Sequence, residues 1–283
     1  MNKKEANMNQ NPLQRKHNPL IHQKKGDTRF YPPQPSQKDM IFGIRAVLEA
    51  IEAGKDIDKI LIRKELQGEL ANELFTALSG KNIPIQRVPI EKLNHLTQKN
   101  HQGVIAFTAS IEYQHINDII PTLYEQGKNP FIVVLDGITD VRNFGAIVRT
   151  CECAGVHAIV VPTRGSAAAN GDAVKTSAGA LHHLPICREN QLTDIIQYLK
   201  NSGLRIIGAT EKAHKSYNQV DYNDPVVFVM GAEDTGISAE IAKMCDETVA
   251  IPILGNIGSL NVSVAAGILL YEAVRQRQPV MRQ

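Results

Sequence analysis

Phe131 to Ile138 read FIVVLDGI, an apolar run with no polar–apolar alternation. A strand with one wet face alternates with period two. An unbroken run therefore needs cover on both faces, the condition of a strand inside a parallel α/β sheet. Similar runs recur at Ala158–Val161, Arg205–Ala209, Val226–Met230 and Val249–Ile253, with helical stretches between most of them. That repetition predicts a parallel sheet with crossover helices. The pattern sets neither strand order nor handedness, and generic connection rules argue against a knot.

A smaller α/β unit is expected upstream, over residues 39–109. Ile44, Val47, Leu48 and Ile51 follow helical spacing, as do Leu66, Leu70, Leu74 and Leu78. Strands are expected at Lys59–Arg63, at Ile83–Val88 (broken by Pro84) and at Val104–Phe107. Residues 110–129 read as a linker with a helix from Ile116 to Gln126, and residues 130–278 as the larger domain. A chain of 283 residues suits two domains of ordinary size.

Composition narrows the class. With 43% hydrophobic and 21% charged residues the chain can bury a real core. The four cysteines (Cys151, Cys153, Cys187, Cys245) form no Cys-x-x-Cys pair, no apolar run approaches the roughly 18 residues of a membrane helix, and no signal core opens the chain. A cytoplasmic protein is expected. Residues 1–38 carry eight lysines and arginines against Glu5 and Asp27, and are rich in Asn, Gln and Pro. They read as a disordered basic tail, suited either to a phosphate backbone or to no specific task.

Three segments look chemical. The first is Asn143-Phe144-Gly145-Ala146-Ile147-Val148-Arg149, with Phe144, Ile147, Val148 and Cys151 as the buried stripe of a helix. Gly145 and Arg149 are four apart, so the arginine leans back over the glycine. Glycine costs a helix about 1 kcal/mol relative to alanine; an open shelf under a guanidinium would suit a phosphate or a developing oxyanion. The second, Gly231-Ala232-Glu233-Asp234-Thr235-Gly236, follows a strand end, where open α/β sheets bind ligands. It matches neither the dinucleotide fingerprint nor the phosphate loop. The third runs from Gly255 to Arg277: a Gly/Asn loop, then an apolar helix expected to start at Ser259 as N-cap, with Leu260, Asn261, Val262 and Ser263 in its first turn. Asn261 and Ser263 are unusual inside a first turn, because short polar side chains compete with the backbone.

Taken in order, Asn143-x-Gly145-x-x-x-Arg149, Gly231-x-Glu233-x-x-Gly236, and Ile251-Pro252 leading to Ser259-Leu260-Asn261-Val262-Ser263 resemble the SpoU (TrmH) family of RNA ribose methyltransferases. The resemblance spans residues 39–277, and the first domain is similar to the ribosomal-protein-like RNA-binding domain of the bacterial ribosomal-RNA branch. It implies an α/β fold of the SPOUT type, with a C-terminal trefoil-knotted parallel-sheet domain, S-adenosylmethionine as cofactor and a homodimer. It places cofactor contacts at Gly231, Ile251 and Leu260, with Thr210 at the end of the Arg205–Ala209 strand lining the same pocket. Catalysis falls to Arg149 and Asn143, supported by Glu233, Ser259 and Asn261.

The implied reaction is 2′-O-methylation of a ribose, most similar to that of the enzymes that modify a guanosine of 23S ribosomal RNA; a tRNA enzyme and a non-catalytic RNA-binding or ribosome-assembly protein are the alternatives. Such a reaction needs orientation and charge stabilisation above all. A guanidinium resists deprotonation, so Arg149 is read as phosphate anchor and alkoxide stabiliser, with the proton acceptor open. His182 and His183 diverge on a helix, His101 suits either a turn or RNA contact, and Cys151 and Cys153 cannot share a metal. No metal site is expected.

Overall fold

A computed structural model of the chain describes residues 40–277. The basic leader expected over residues 1–38 lies outside the described residues.

Two sheets carry the architecture. The first has four strands in the order β1-β4-β2-β3, where β1 is Met40–Phe42, β2 Ile57–Arg63, β3 Ile85–Val88 and β4 Val104–Thr108. β4 pairs antiparallel with both β1 and β2, while β2 and β3 are parallel. Helices α1 (Ile44–Glu52) and α2 (Glu69–Leu78) cover one face and α3 (Ile90–Leu96) the other; Val47, Ile60, Leu74 and Val104 are fully buried under the first pair. The leucine spacing placed Leu66 on α2. Instead Leu66 closes a turn on Arg63, and Gly68, at φ +115°, delays the helix to Glu69.

The second sheet has six parallel strands in the order β10-β8-β9-β5-β6-β7. These are β5 (Phe131–Asp136), β6 (Ala158–Pro162), β7 (Ile186–Glu189), β8 (Arg205–Ala209), β9 (Val226–Gly231) and β10 (Glu247–Val249). The unalternating run in β5 has a direct cause. Phe131, Val133 and Leu135 point into one core with helices α5 (Val141–Cys153), α6 (Gly171–Thr176) and α9 (Val262–Arg277). Ile132 and Val134 point into a second core with α4 (Ile116–Glu125), α7 (Leu192–Asn201) and α8 (Ala239–Met244). Each such side chain, removed from water, contributes about 1.5–3 kcal/mol. The end of α9 is tied to the segment before β9: the Gln276 amide donates to Val220 O at 3.0 Å and its oxygen accepts from Tyr222 N at 2.8 Å.

The last strand ends at Val249 rather than Ile253. Ala250 still pairs with Lys215 and Tyr217, but Pro252 has no N–H to offer a ladder, and Ile251–Pro252 leave the sheet. The C-terminal helix starts at Val262, not at Ser259. β1 and β7 were not anticipated; β7 reads ICRE, and its buried Arg188 and Glu189 hide a strand from a hydrophobicity pattern.

Candidate active site

The first motif sits at the start of α5. Asp140 caps that helix, its carboxylate accepting from the backbone N–H of Arg142 at 2.8 Å and Asn143 at 2.9 Å. The backbone N–H of Asn143 holds the Asp140 carboxyl below its ordinary value against the opposing effect of burial, with help from the backbone N–H and charge of Arg142. The cap fixes the backbone from which the Asn143 side chain projects.

From there the three motifs join. The Asn143 amide nitrogen donates to Glu233 Oε2 at 3.2 Å. The Asn261 amide nitrogen donates to Glu233 Oε1 at 2.6 Å and to Asn143 Oδ1 at 3.0 Å. Asn261 Oδ1 in turn accepts from Ser263 N at 3.0 Å and Ser263 Oγ at 2.5 Å. Asn261 is therefore the N-cap of α9, and its carbonyl accepts the first helical bond from Ala265. This explains the asparagine that was unusual as a first-turn residue. Ser259, expected as the cap, is exposed on the loop before it.

Glu233 is delivered by a tight loop after β9. Ala232 and Gly236 exchange both backbone hydrogen bonds, and Asp136 at the end of β5 accepts from Ser238 N at 2.7 Å. A Cβ on Gly231 would lie 2.1 Å from the backbone of Gly236 and Ile237, so only glycine lets this loop close.

Beside the cluster lies an open cleft of about 650 Å³, lined among others by Thr210, Gly231, Glu233, Ile251, Ser259 and Leu260. All four residues assigned to the cofactor thus border one space. Met230, Val249, Val262 and Leu269 give it an apolar floor, and the carboxylates of Glu211 and Glu233 stand at its edge. Apolar walls, a backbone-only glycine and nearby carboxylates fit a nucleoside that carries a positive charge.

Arg149 is the exception. It is exposed on α5, forms no hydrogen bond or ion pair among the described residues, and is absent from the cleft lining. It lies six positions along the helix from Asn143, about 9 Å along the axis and a third of a turn around it. Nor does the Gly145 shelf stand open. Gly145 is buried, and a Cβ there would meet Thr176 Cβ at 2.7 Å and Ala173 O at 3.1 Å. The glycine admits α6, not a ligand.

Other sequence candidates take structural positions. His101 is 7% exposed, bonded to Asn94 Oδ1 at 2.9 Å and accepting from Gly103 N at 3.0 Å, which gives it the turn role. Burial, with the nearby Arg63 charge, lowers its pKa. His182 and His183 are exposed, Cys151 is buried and Cys153 exposed, and no group of residues suited to a metal occurs among the described residues. From sequence alone Asp140 carries no assigned role, and Ser263 stands out only as an unusual first-turn residue within the third motif. An acidic residue just before an amphipathic helix was the available signal for the first.

Comparison with known proteins identifies the family. Residues 130–271 match the model of the SpoU rRNA Methylase family, and residues 40–114 match the RNA 2′-O ribose methyltransferase substrate binding domain. The chain belongs to the SpoU (TrmH) family. A Bacillus subtilis (strain 168) protein assigned to the TrmH family of tRNA/rRNA methyltransferases is 32% identical over 244 residues, 86% of this chain and 98% of the relative. A Staphylococcus saprophyticus relative with the same assignment is 35% identical over 238 residues, 84% and 96% of the two chains. Among solved structures, the SpoU methyltransferase AviRb from Streptomyces viridochromogenes, in complex with AdoMet, aligns with a TM-score of 0.54 at 25% identity, covering 84% of this chain and 90% of that one. An AdoMet-bound rRNA methyltransferase from Sinorhizobium meliloti aligns with a TM-score of 0.55 at 25% identity, covering 85% and 88%. This SpoU chain is an S-adenosylmethionine-dependent RNA methyltransferase, and the trefoil knot follows from its fold.

Proposed function

We propose that this SpoU chain methylates the 2′-hydroxyl of a ribose in 23S ribosomal RNA, at a guanosine. The observation that carries the chemistry is the meeting of Asn143, Glu233 and Asn261 at the rim of the Thr210–Gly231–Ile251–Leu260 cleft. S-adenosylmethionine, when bound, supplies a methyl group on a sulfonium, so the leaving group is already good. Gly231, Ile251, Leu260 and Thr210 hold it through the cleft walls. Asn143 and Asn261 orient one another and the ribose; Glu233, already occupied by two amide donors, fixes both. Ser259 lines the same cleft and supports the pair from the loop before α9.

Arg149 anchors the adjoining phosphate and stabilises the developing alkoxide. Because it stands outside its own cleft, it serves the cleft of a second subunit. Leu254 is 100% exposed and Ile257 77%, on the loop that borders the cleft, and Val264 and Tyr271 of α9 are also exposed. Covering these apolar groups favours a homodimer. The matched substrate-binding domain supports structured RNA as substrate, and the rRNA named for the Sinorhizobium neighbour supports the ribosomal choice. No helix among the described residues is long and apolar enough to cross a membrane, in keeping with a cytoplasmic site of action.

Incubating the protein with labelled S-adenosylmethionine and either ribosomal RNA or tRNA, then mapping the modified ribose, tests the reading. A labelled guanosine 2′-O-methyl in 23S RNA is expected. Label confined to tRNA would replace the substrate and keep the chemistry.

A further inference from the structure

Three polar side chains from distant parts of the chain meet where the two sheets adjoin. Asp58 comes from β2 of the four-stranded sheet, Arg188 from β7 at the edge of the six-stranded sheet, and Tyr113 from the segment between them. The Tyr113 hydroxyl donates to Asp58 Oδ1 at 3.0 Å, and Ala169 N donates to the same oxygen at 3.4 Å. Arg188 Nη1 donates across the junction to the carbonyls of Ile57, at 2.9 Å, and Asp58, at 3.4 Å. Its guanidinium lies 3.9 Å from the centre of the Tyr113 ring. Asp58 and Arg188 are both buried.

The connecting segment is no loose tether. Gln114 adds itself to the sheet edge beside Cys187: Gln114 N donates to Ile186 O at 2.9 Å and Arg188 N to Gln114 O at 3.3 Å. Ser110 N also donates to Ala169 O at 2.8 Å. Burying two charges costs several kcal/mol each before their partners repay it, and an apolar junction would hold as well. What a buried polar set adds is a preferred geometry: Arg188 Nε has no hydrogen-bond partner among the described residues, and a shift would leave further desolvated donors and acceptors unpaired. Burial, reinforced by the Asp58 carboxylate, raises the Tyr113 pKa, so its hydroxyl stays a donor.

The junction also has a fixed relation to the cleft. β7 lies three strands from β9 in one parallel sheet, about 14 Å at normal strand spacing, and their C-terminal ends leave the same edge. We propose that Asp58, Tyr113 and Arg188 are positioning residues: a clamp that sets the angle of the first domain, so that an RNA held there presents its ribose to the cleft. This rests on the reading that the first domain holds the RNA substrate.

The test uses the full chain and the variants Tyr113→Phe, Arg188→Met and Arg188→Lys. Spectroscopic labels on exposed Glu73 of α2 and Gln197 of α7 report the distance between the two sheets without any RNA. The distance distribution should broaden in Tyr113→Phe and Arg188→Met and narrow again in Arg188→Lys. In methyl transfer to whichever RNA the protein accepts, KM for RNA should rise about tenfold, with S-adenosylmethionine affinity and kcat at saturating RNA unchanged. A distribution and a KM both like wild type in Tyr113→Phe and Arg188→Met would overturn the clamp, as would kcat and cofactor affinity falling in step with melting temperature. Tyr113→Phe removes one oxygen, so it carries the test if Arg188→Met does not fold. Because the distance is read without RNA, a wrong substrate assignment and a wrong clamp give different results.

Discussion

Asn143 and Asn261 stand 118 positions apart in the chain, and their side-chain amides are hydrogen-bonded at 3.0 Å. Both also bond the Glu233 carboxylate, so one carboxylate holds two amides that flank the cleft. Groups that share a partner cannot act independently. In a double-mutant cycle, Asn143→Ala and Asn261→Ala should show a coupling of about 0.5–3 kcal/mol in kcat/KM. Strict additivity would show that the triad is a packing accident.

Arg149 bears on turnover but not on folding. It is exposed and bonded to nothing among the described residues, so Arg149→Ala should leave the melting temperature within error. If it stabilises the developing alkoxide, the same variant should lose activity by about 10²–10³-fold with normal cofactor affinity. Arg149→Lys should recover little, because a point charge does not reproduce the guanidinium fork. Near-normal methyl transfer by Arg149→Ala would end the assignment.

The Asp140 cap should show in the pH dependence of stability. Its carboxyl is held below the ordinary 3.8, chiefly by the Asn143 N–H. The group is charged in the folded state to lower pH than in the unfolded chain. Its contribution is therefore full above the ordinary value and lost as pH falls through the lower folded one. Asp140→Ala should cost about 1 kcal/mol at neutral pH and flatten that acid limb. Urea melts from neutral pH down to pH 3 would check both.

Gly145→Ala sets helix propensity against packing. The substitution would gain up to about 1 kcal/mol in an isolated helix. Here the new Cβ meets Thr176 Cβ at 2.7 Å and the Ala173 carbonyl at 3.1 Å. Overpacking costs of about 1–3 kcal/mol should win, giving a lower melting temperature. Adding Thr176→Gly, which removes the nearer obstacle, should recover part of the loss. A stabilised Gly145→Ala would mean that α5 and α6 separate easily.

Much of this fold could be read before any coordinates. β6, β8 and β9 match their apolar runs to within a residue, and β5 fills its run up to Asp136, because a strand covered on both faces leaves a mark at every residue. Where composition and burial part company, the reading slipped. β7 carries Arg188 and Glu189 inward, and the apolar run after Val249 looks like strand although Pro252 takes it out of the ladder.

By itself the sequence determined the two α/β units, the three motifs and the family they belong to, since each is written in residues close together along the chain. Only the tertiary structure decided that Gly145 makes way for a helix, that Asn261 rather than Ser259 caps α9, that Arg149 stands apart from its own cleft, and that Arg188 reaches across to Ile57. Those facts depend on which surfaces pack and how closely, and side chains tens to more than a hundred positions apart meet only once the cores on both faces of the sheet have closed.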